Sequence, residues 1–439
     1  MNIRLAILAL LAALTVLSCR SRSSESTEIT VQRFFGACEA RYGASTDVAA
    51  ADDECGIITT LINQFNSQNP DLHVKVNVVY WPGYDQLSAA LAAGDPPDLV
   101  TMHQSVICDY SQRGLIIPLE QGLASVGIRP ESFTRAAREG VVRGGHVYAL
   151  PFDNWTVLWH LNLNLFRAAG LMRDGAPILP HNTQELLQQA RQFTRATAKP
   201  YLIHPLVNEQ SASARSLFTL LMQQQADFFP DPHHIRLQTP EARRVLELFK
   251  QLHDENLMSR NQDYTAATSA FLNGEGGVYL VGTWVIGQFD QAARQPDSPL
   301  AGGYSVVPYP QLYPGRDVTY ADGHAWVVPN AKRSPEKQRA IFRLLRFLRD
   351  NDFQWSRTGH LPAYQDVIDS PRWRDLPHRA ELAKLVDTAE PLPTGVQRQF
   401  LIQQILTEEM ESAITGQKSV DPALADAQRR VNDLLFNLL

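Results

Sequence analysis

Beyond its N-terminus, the chain has no apolar run approaching the roughly 20 residues that cross a bilayer as a helix. It has no basic excess: 40 Lys and Arg stand against 46 Asp and Glu, a formal net charge of -6. Nucleic-acid binders usually carry a basic stripe, and none is visible, so nucleic acid is not an expected partner. A serine elbow, a phosphate-binding loop, a His-Glu-x-x-His helix and a Cys-x-x-Cys pair are all missing, and with them the common signatures of several enzyme classes. No short repeat recurs, which argues against solenoids and propellers. What remains has the composition of a globular protein, 44% hydrophobic and 20% charged. At 439 residues it exceeds one core and predicts two or three compact units.

The N-terminus differs from the body. Arg4 precedes a nearly unbroken apolar run from Leu5 to Leu17, too short to span comfortably but suited to the core of a secretory signal. The run ends at Ser18-Cys19, which resembles the lipobox of bacterial lipoproteins. Residues 1–18 therefore read as a signal peptide and 19–26 as a linker whose Cys19 is lipidated, a membrane partner reached through acyl chains. Leu17 departs from the commonest pattern, and a plain signal peptide with an incidental cysteine is the alternative. Export makes Cys38 and Cys55, which flank a polar loop, a natural disulfide, with a stabilisation of about 3 kcal/mol. Cys108 is left as a small buried hydrophobe.

The body alternates strands and helices. Ile29 to Phe35 reads as a strand, Ile57 to Phe65 as a helix, and Leu72, Val74, Val76 and Val78 as a half-buried strand. Gln86 to Ala93 reads as a helix stopped by Gly94, and Asp98 to Met102 as the next strand. Later starts are marked by Asn182 with Glu185, Thr239-Pro240-Glu241, Ser334-Pro335-Glu336 and Asp421-Pro422. This is the grammar of α/β layers with mainly parallel sheets.

Five strings, in order, carry a family likeness: NQFNSQNPDLHVKV from Asn63, WPGYDQLSAALAAGDPPDLV from Trp81, LPFDNWTVLWHLNLNLFRAAGL from Leu150, AFLNGEGGVYLVGTWVIGQF from Ala270 and GHAWVVPNAKRSPEKQRAIFRLLRFL from Gly323. The chain resembles the family 1 extracellular solute-binding proteins of bacterial ABC importers, a group that includes maltose- and glycerol-3-phosphate-binding proteins. The resemblance implies a two-lobed periplasmic-binding-protein-like fold with a ligand cleft between the lobes. It places one lobe at about 27–153 plus 318–352 and the other at about 154–317 plus 353–439. It implies a monomeric receptor that works with membrane permease subunits, uses no cofactor and catalyses nothing.

A sugar needs polar side chains for its hydroxyls and flat aromatic faces for its C–H patches. Asp153, Asn154 and Trp155 lie where the resemblance puts ligand contacts in the crossing segment. Trp284 lies where it puts a stacking aromatic, and Gly323 with His324 lie in its return strand. His103 and Gln104 follow the third strand, and Phe35 and Gly36 end the first. Asn208 and Glu209 follow the strand-like Tyr201 to His204, and Arg357 and His360 lie in a loop before the last helices. Trp81 and Tyr84 read more readily as a strand-to-helix turn, and Asp47 to Glu54 as a solvated acidic loop. A sugar or oligosaccharide is the leading solute, and a glycerol-3-phosphate-type ester or polyol, with Arg357 as its cation, is the alternative. Two readings from other classes stand beside these: a glycoside hydrolase using Asp153 and Asp322, and a zinc receptor drawing on His233, His234, His103 and His324.

Overall fold

The structure is a computed structural model that describes residues 26–437. The signal peptide, Cys19 and most of the linker predicted from sequence lie outside the described residues. Among the described residues eleven strands build two main sheets: β1 (Thr27–Arg33), β2 (Leu72–Val78), β3 (Leu99–His103), β4 (Leu150–Pro151), β5 (Trp155–Asn162), β6 (Leu202–Ile203), β7 (Val278–Gly282), β8 (Tyr304–Pro308), β9 (Thr319–Asp322), β10 (His324–Val327) and β11 (Ala389–Glu390). The helices that matter for the site are α1 (Glu54–Gln68), α2 (Tyr84–Ala93), α3 (Ala212–Gln223), α4 (Ile286–Ala293), α5 (Pro335–Asp350), α6 (Gln399–Ile414) and α7 (Val420–Phe436).

The first sheet has the order β2-β1-β3-β10-β4. Its edge strand β2 buries Leu72 and Val74 and exposes His73 and Lys75, as an alternating strand must. The inner strand β3 is buried throughout. In α5, Ser334 caps the first turn, Pro335 opens it, and Ile341, Leu344, Leu345 and Leu348 form the face turned to the first core. The second sheet has the order β6-β7-β5-β9-β11, and β8 also pairs with β5. The last helices complete its core, α6 against α3 and α7 against α6.

Both lobes are thus α/β with mainly parallel sheets, each of which carries one reversed strand, β10 in the first and β5 in the second. β1 runs parallel to β2 and β3, whereas β10 is antiparallel to β3 and β4. The long β5 is antiparallel to β7, β8 and β9. The reason is topological. Strands that arrive from the other lobe enter without a helical crossover, and only a crossover imposes the parallel direction.

Three segments cross between the lobes. The first leaves β4 and enters β5 through residues 152–154. The second leaves β9 and enters β10 at Gly323. Ala321 and Asp322 pair with Thr156 and Trp155, so β9 lies in the second sheet and this crossing falls at 323, not at 318. The third follows α5: Trp355 packs in the first core and Leu361 in another core cluster that includes β7 residues.

Candidate functional site

The ends of β1, β3 and β7 open on one cavity of about 470 Å³ between the sheets. This is the edge at which open α/β sheets bind ligands, just past the carboxyl ends of strands. The first lobe supplies Phe34, Phe35 and Gly36 after β1, Asp53, Glu54 and Cys55 at the start of α1, Tyr80 and Trp81 after β2, and His103 at the end of β3. The second supplies Trp155, the loop Asn208 to Ser211, Arg215 on α3, Tyr264, and Trp284, Val285 and Gln288 after β7, with His324 lining it from β10.

The loop from Cys38 to Cys55 is closed by a disulfide between those two residues. Gly36, at φ +77, lets the chain turn from β1 against the Cys55 side chain. Asp53 caps α1 by accepting from Gly56 N. The acidic stretch expected to be a solvated loop therefore reaches the cleft at its last residues.

His103 is buried against Phe34 and Phe400. Its backbone N–H donates to the Tyr84 hydroxyl at 2.9 Å, and that hydroxyl lies 2.6 Å from Nδ1. The arrangement suits a hydroxyl donating to Nδ1, which makes Nε2 the N–H of a neutral ring. Burial, with His324 and Arg215 nearby, pushes the His103 pKa well below the ordinary histidine value. Trp284 is partly exposed, donates to the Tyr264 hydroxyl at 2.9 Å and meets Trp155 edge-on at 5.4 Å.

Below this cavity lies a buried polar knot. Asp153 is fully buried; its Oδ1 accepts His324 N–H at 2.9 Å, and its Oδ2 lies 2.8 Å from His324 Nδ1 and accepts Trp355 Nε1–H at 2.7 Å. His360 Nε2 sits 3.7 Å from the same oxygen and 2.9 Å from Glu54 Oε1, while its Nδ1 lies 3.1 Å from Thr283 Oγ1. One carboxylate thereby joins all three crossing segments. Burial works against its charge, but His324, His360 and Trp355 outweigh it and hold its pKa at about 2. Burial also disfavours the His360 cation, yet Asp153 and Glu54 raise its pKa above the ordinary value.

Eight residues singled out from sequence line the cavity: Phe35, Gly36, His103, Trp155, Asn208, Glu209, Trp284 and His324. Six do not, and each has other work. Gln104 donates from Nε2 to Asp153 O at 3.0 Å. Asp153 and His360 belong to the knot. Asn154 pairs with Leu361 through the backbone. Gly323 has no room for a side chain, because a Cβ would stand 2.3 Å from Asp153 O. Arg357 donates to the carbonyls of Val48, Ala49 and Ala51 and so clamps the disulfide loop.

The alternative chemistries find no support in the geometry. Asp322 accepts from Ser105 N, Ser105 Oγ and Gly323 N, and neither it nor Asp153 lines the cavity as a glycosidase pair would. His233 and His234 sit outside the cleft in an exposed turn, where His234 pairs with Asp231. Asp153, His324 and His360 cluster closely enough to hold a metal ion, with ligand atoms within 4.8 Å of one another, but their contacts are hydrogen bonds to each other, to Trp355 and to Glu54.

Residues 49–355 match the model of the bacterial extracellular solute-binding proteins. The chain belongs to that family. It is an exported receptor that binds a small solute for an ABC importer and is not an enzyme. This solute-binding protein is 24% identical over 407 residues to the sn-glycerol-3-phosphate-binding periplasmic protein of Salmonella typhimurium, covering 86% of this chain and 89% of the relative. The Escherichia coli K12 protein of the same name is 22% identical over 405 residues, with the same coverages. In fold it is similar to a maltose-bound T. maritima protein, with TM-score 0.76 and 17% identity, covering 93% of this chain and 100% of that one. It is also similar to the GacH receptor of Streptomyces glaucescens, with TM-score 0.77 and 17% identity, covering 94% and 99%. These likenesses carry the two-lobed architecture.

Sequence reasoning missed Glu54, Ser211, Arg215, Tyr264 and Gln288. For Arg215 a signal existed: it is a charged residue inside ASARSLFTLLMQ, a helix that is otherwise small, apolar or neutral. Trp81, set aside as a turn residue, lines the cavity, whereas Tyr84 stands behind His103.

Proposed function

We propose that this receptor captures a polyhydroxylated solute of the sugar class in the cleft between its lobes. The observation that carries the reading is the pairing of surfaces across one cavity: exposed or half-exposed aromatic rings of Trp81, Tyr264 and Trp284 beside Asp53, Glu54, Glu209 and Arg215. Rings cover C–H patches, while carboxylates accept and guanidinium groups donate to hydroxyls. The volume lies within the ~300–1,000 Å³ of small-ligand clefts. Phe35, Gly36, His103, Trp155, Asn208, Glu209, Trp284 and His324 are the contacts we carry over from the sequence. The structural relatives named for maltose and acarbose support this class.

A second reading, a glycerol-3-phosphate-type ester, is favoured by the ligand named for the Salmonella and Escherichia relatives. In both readings the protein is a monomer held at the cell envelope by a lipid on Cys19 after removal of residues 1–18. A thermal-shift screen of mono-, di- and oligosaccharides against glycerol-3-phosphate tests the class. A solute at a hundred times its Kd adds about 2.7 kcal/mol of stability. No shift with any sugar or ester would exclude both readings.

A further inference from the structure

Three arginines are buried among the described residues, and they divide into two kinds. Arg33 donates from Nη1 to Gly36 O and from Nη2 to Thr59 Oγ1, leaving its Nε without a partner. Arg379 likewise donates from its Nη atoms to Pro377 O and Ser356 O, with Nε unpartnered. Arg215 is the reverse. Its Nε donates to Gln403 Oε1 at 3.2 Å, and neither Nη has an acceptor among the described residues. Gln403 is itself fully buried and donates from Nε2 to the Tyr320 hydroxyl, so the amide is oriented with its oxygen toward Arg215. The guanidinium lies over the Trp155 ring at 4.4 Å, and Arg215 is 7% exposed and lines the cavity. The result is a fixed fork whose two outer nitrogens are free.

No carboxylate of the described residues comes within salt-bridge distance of that fork. The two acids that act on it from further away are Glu209 and Asp322. Glu209 Oε1 already accepts from Ser211 N and Oγ, and Asp322 accepts from Ser105 and Gly323. Unlike the Nε atoms of Arg33 and Arg379, neither Nη of Arg215 is buried, so both open on the cavity, where a bound anion would supply the counter-charge that the protein does not. A planar guanidinium with both Nη atoms open matches the two oxygens of an oxyanion.

We infer that the solute is an acidic polyol whose oxyanion seats on the Nη fork of Arg215 while its ring covers the neighbouring indoles. This rests on the polyhydroxylated-solute reading above and narrows it. Asp53, Glu54 and Glu209 line the same cavity, so a single negative charge is better matched than two, and a sugar carboxylate is the form that fits. A phosphate monoester offers the same oxyanion chemistry and is the other source.

Isothermal titration of the mature, full-length protein with D-glucuronate, D-galacturonate, sn-glycerol-3-phosphate, D-glucose, D-galactose and maltose tests this. The expected result is at least tenfold tighter binding of a uronate than of its hexose, or of sn-glycerol-3-phosphate than of any neutral sugar in the panel, and the stronger of the two arms names the source. Arg215→Gln should erase most of that preference and weaken the acid tenfold or more, and Arg215→Lys should keep part of it, because charge without the fork remains. The wild-type preference is read without any variant, so a variant that fails to fold does not blunt the test. Neutral sugars bound as tightly as the acids, or weakened equally by Arg215→Gln, would overturn the inference and leave the sugar-receptor reading standing. Binding of no member of the panel would overturn both.

Discussion

Asp153 and Arg215 invite comparison. Both are buried charges, Asp153 two residues before Trp155 in the chain and Arg215 stacked over that same indole. Asp153 is saturated: His324 and Trp355 fill its two oxygens and His360 stands close by. Arg215 is held at one nitrogen and open at two. A saturated buried charge holds a fold in register, whereas an open one waits for a partner from outside. Position relative to a strand end did not separate these roles; hydrogen-bond saturation did.

The largest expected effect comes from breaking the saturated member. Asp153→Ala leaves the Trp355 N–H and two histidines facing a void, and should cost about 3–5 kcal/mol in urea unfolding. A loss under about 1 kcal/mol would mean that these donors find other acceptors, and the knot would not be what joins the crossings. The carboxyl is depressed from 3.8 to about 2, so its stabilisation is present above pH 3.8 and is lost as pH falls through about 2. The alanine variant should therefore differ most from the parent at neutral pH and less in strong acid, where only the charge-dependent part of the loss disappears.

Next comes the open side. Trp284→Ala should weaken solute binding by about 2 kcal/mol or more, as removal of an aromatic anchor typically does. The solute-free variant should still unfold cooperatively, because the ring stands partly exposed on the cleft wall. Unchanged affinity in titration, or loss of the cooperative transition before solute is added, would make Trp284 a packing residue.

The smallest effect sharpens the contrast with a third charge. Glu411 on α6 has one buried oxygen without a partner, and burial, with Glu209 and Glu408 adding repulsion, pushes its pKa up to about 8. An acid raised in the folded state costs stability as pH climbs from its unfolded pKa toward about 8, and the cost is constant beyond. Glu411→Gln should raise Tm at about pH 9 and do little near pH 4. Equal effects at both would show that repacking, not charge, is responsible.

Much of the fold was legible because the signals were local. Thr239 and Ser334 cap the helices they were expected to cap, and Leu72 to Val78 forms the strand its alternation predicts. The cleft edge was legible from strand ends, hence Phe35, His103 and Trp284 in its wall. What a side chain does at that edge depends on partners from 49 to more than three hundred residues away. Gln104 reaches Asp153, Arg357 reaches Val48, and His360 reaches Glu54. Arg215 was missed for the opposite reason: its one signal is a lone charge in an otherwise uncharged helix, which marks the residue as unusual but does not say that its tip emerges into a cleft. The antiparallel strands were hidden too, since direction follows from which lobe a strand leaves.

The place of β10 has a consequence for how the chain matures. It sits between β3 and β4 in the first sheet, yet begins at His324, more than two hundred residues after β3 ends. Until the polypeptide has emerged past that point, β3 and β4 have no strand to join them, and the first lobe presents unpaired edges and an open core. Such non-local closure makes folding slow and leaves early segments exposed to aggregation.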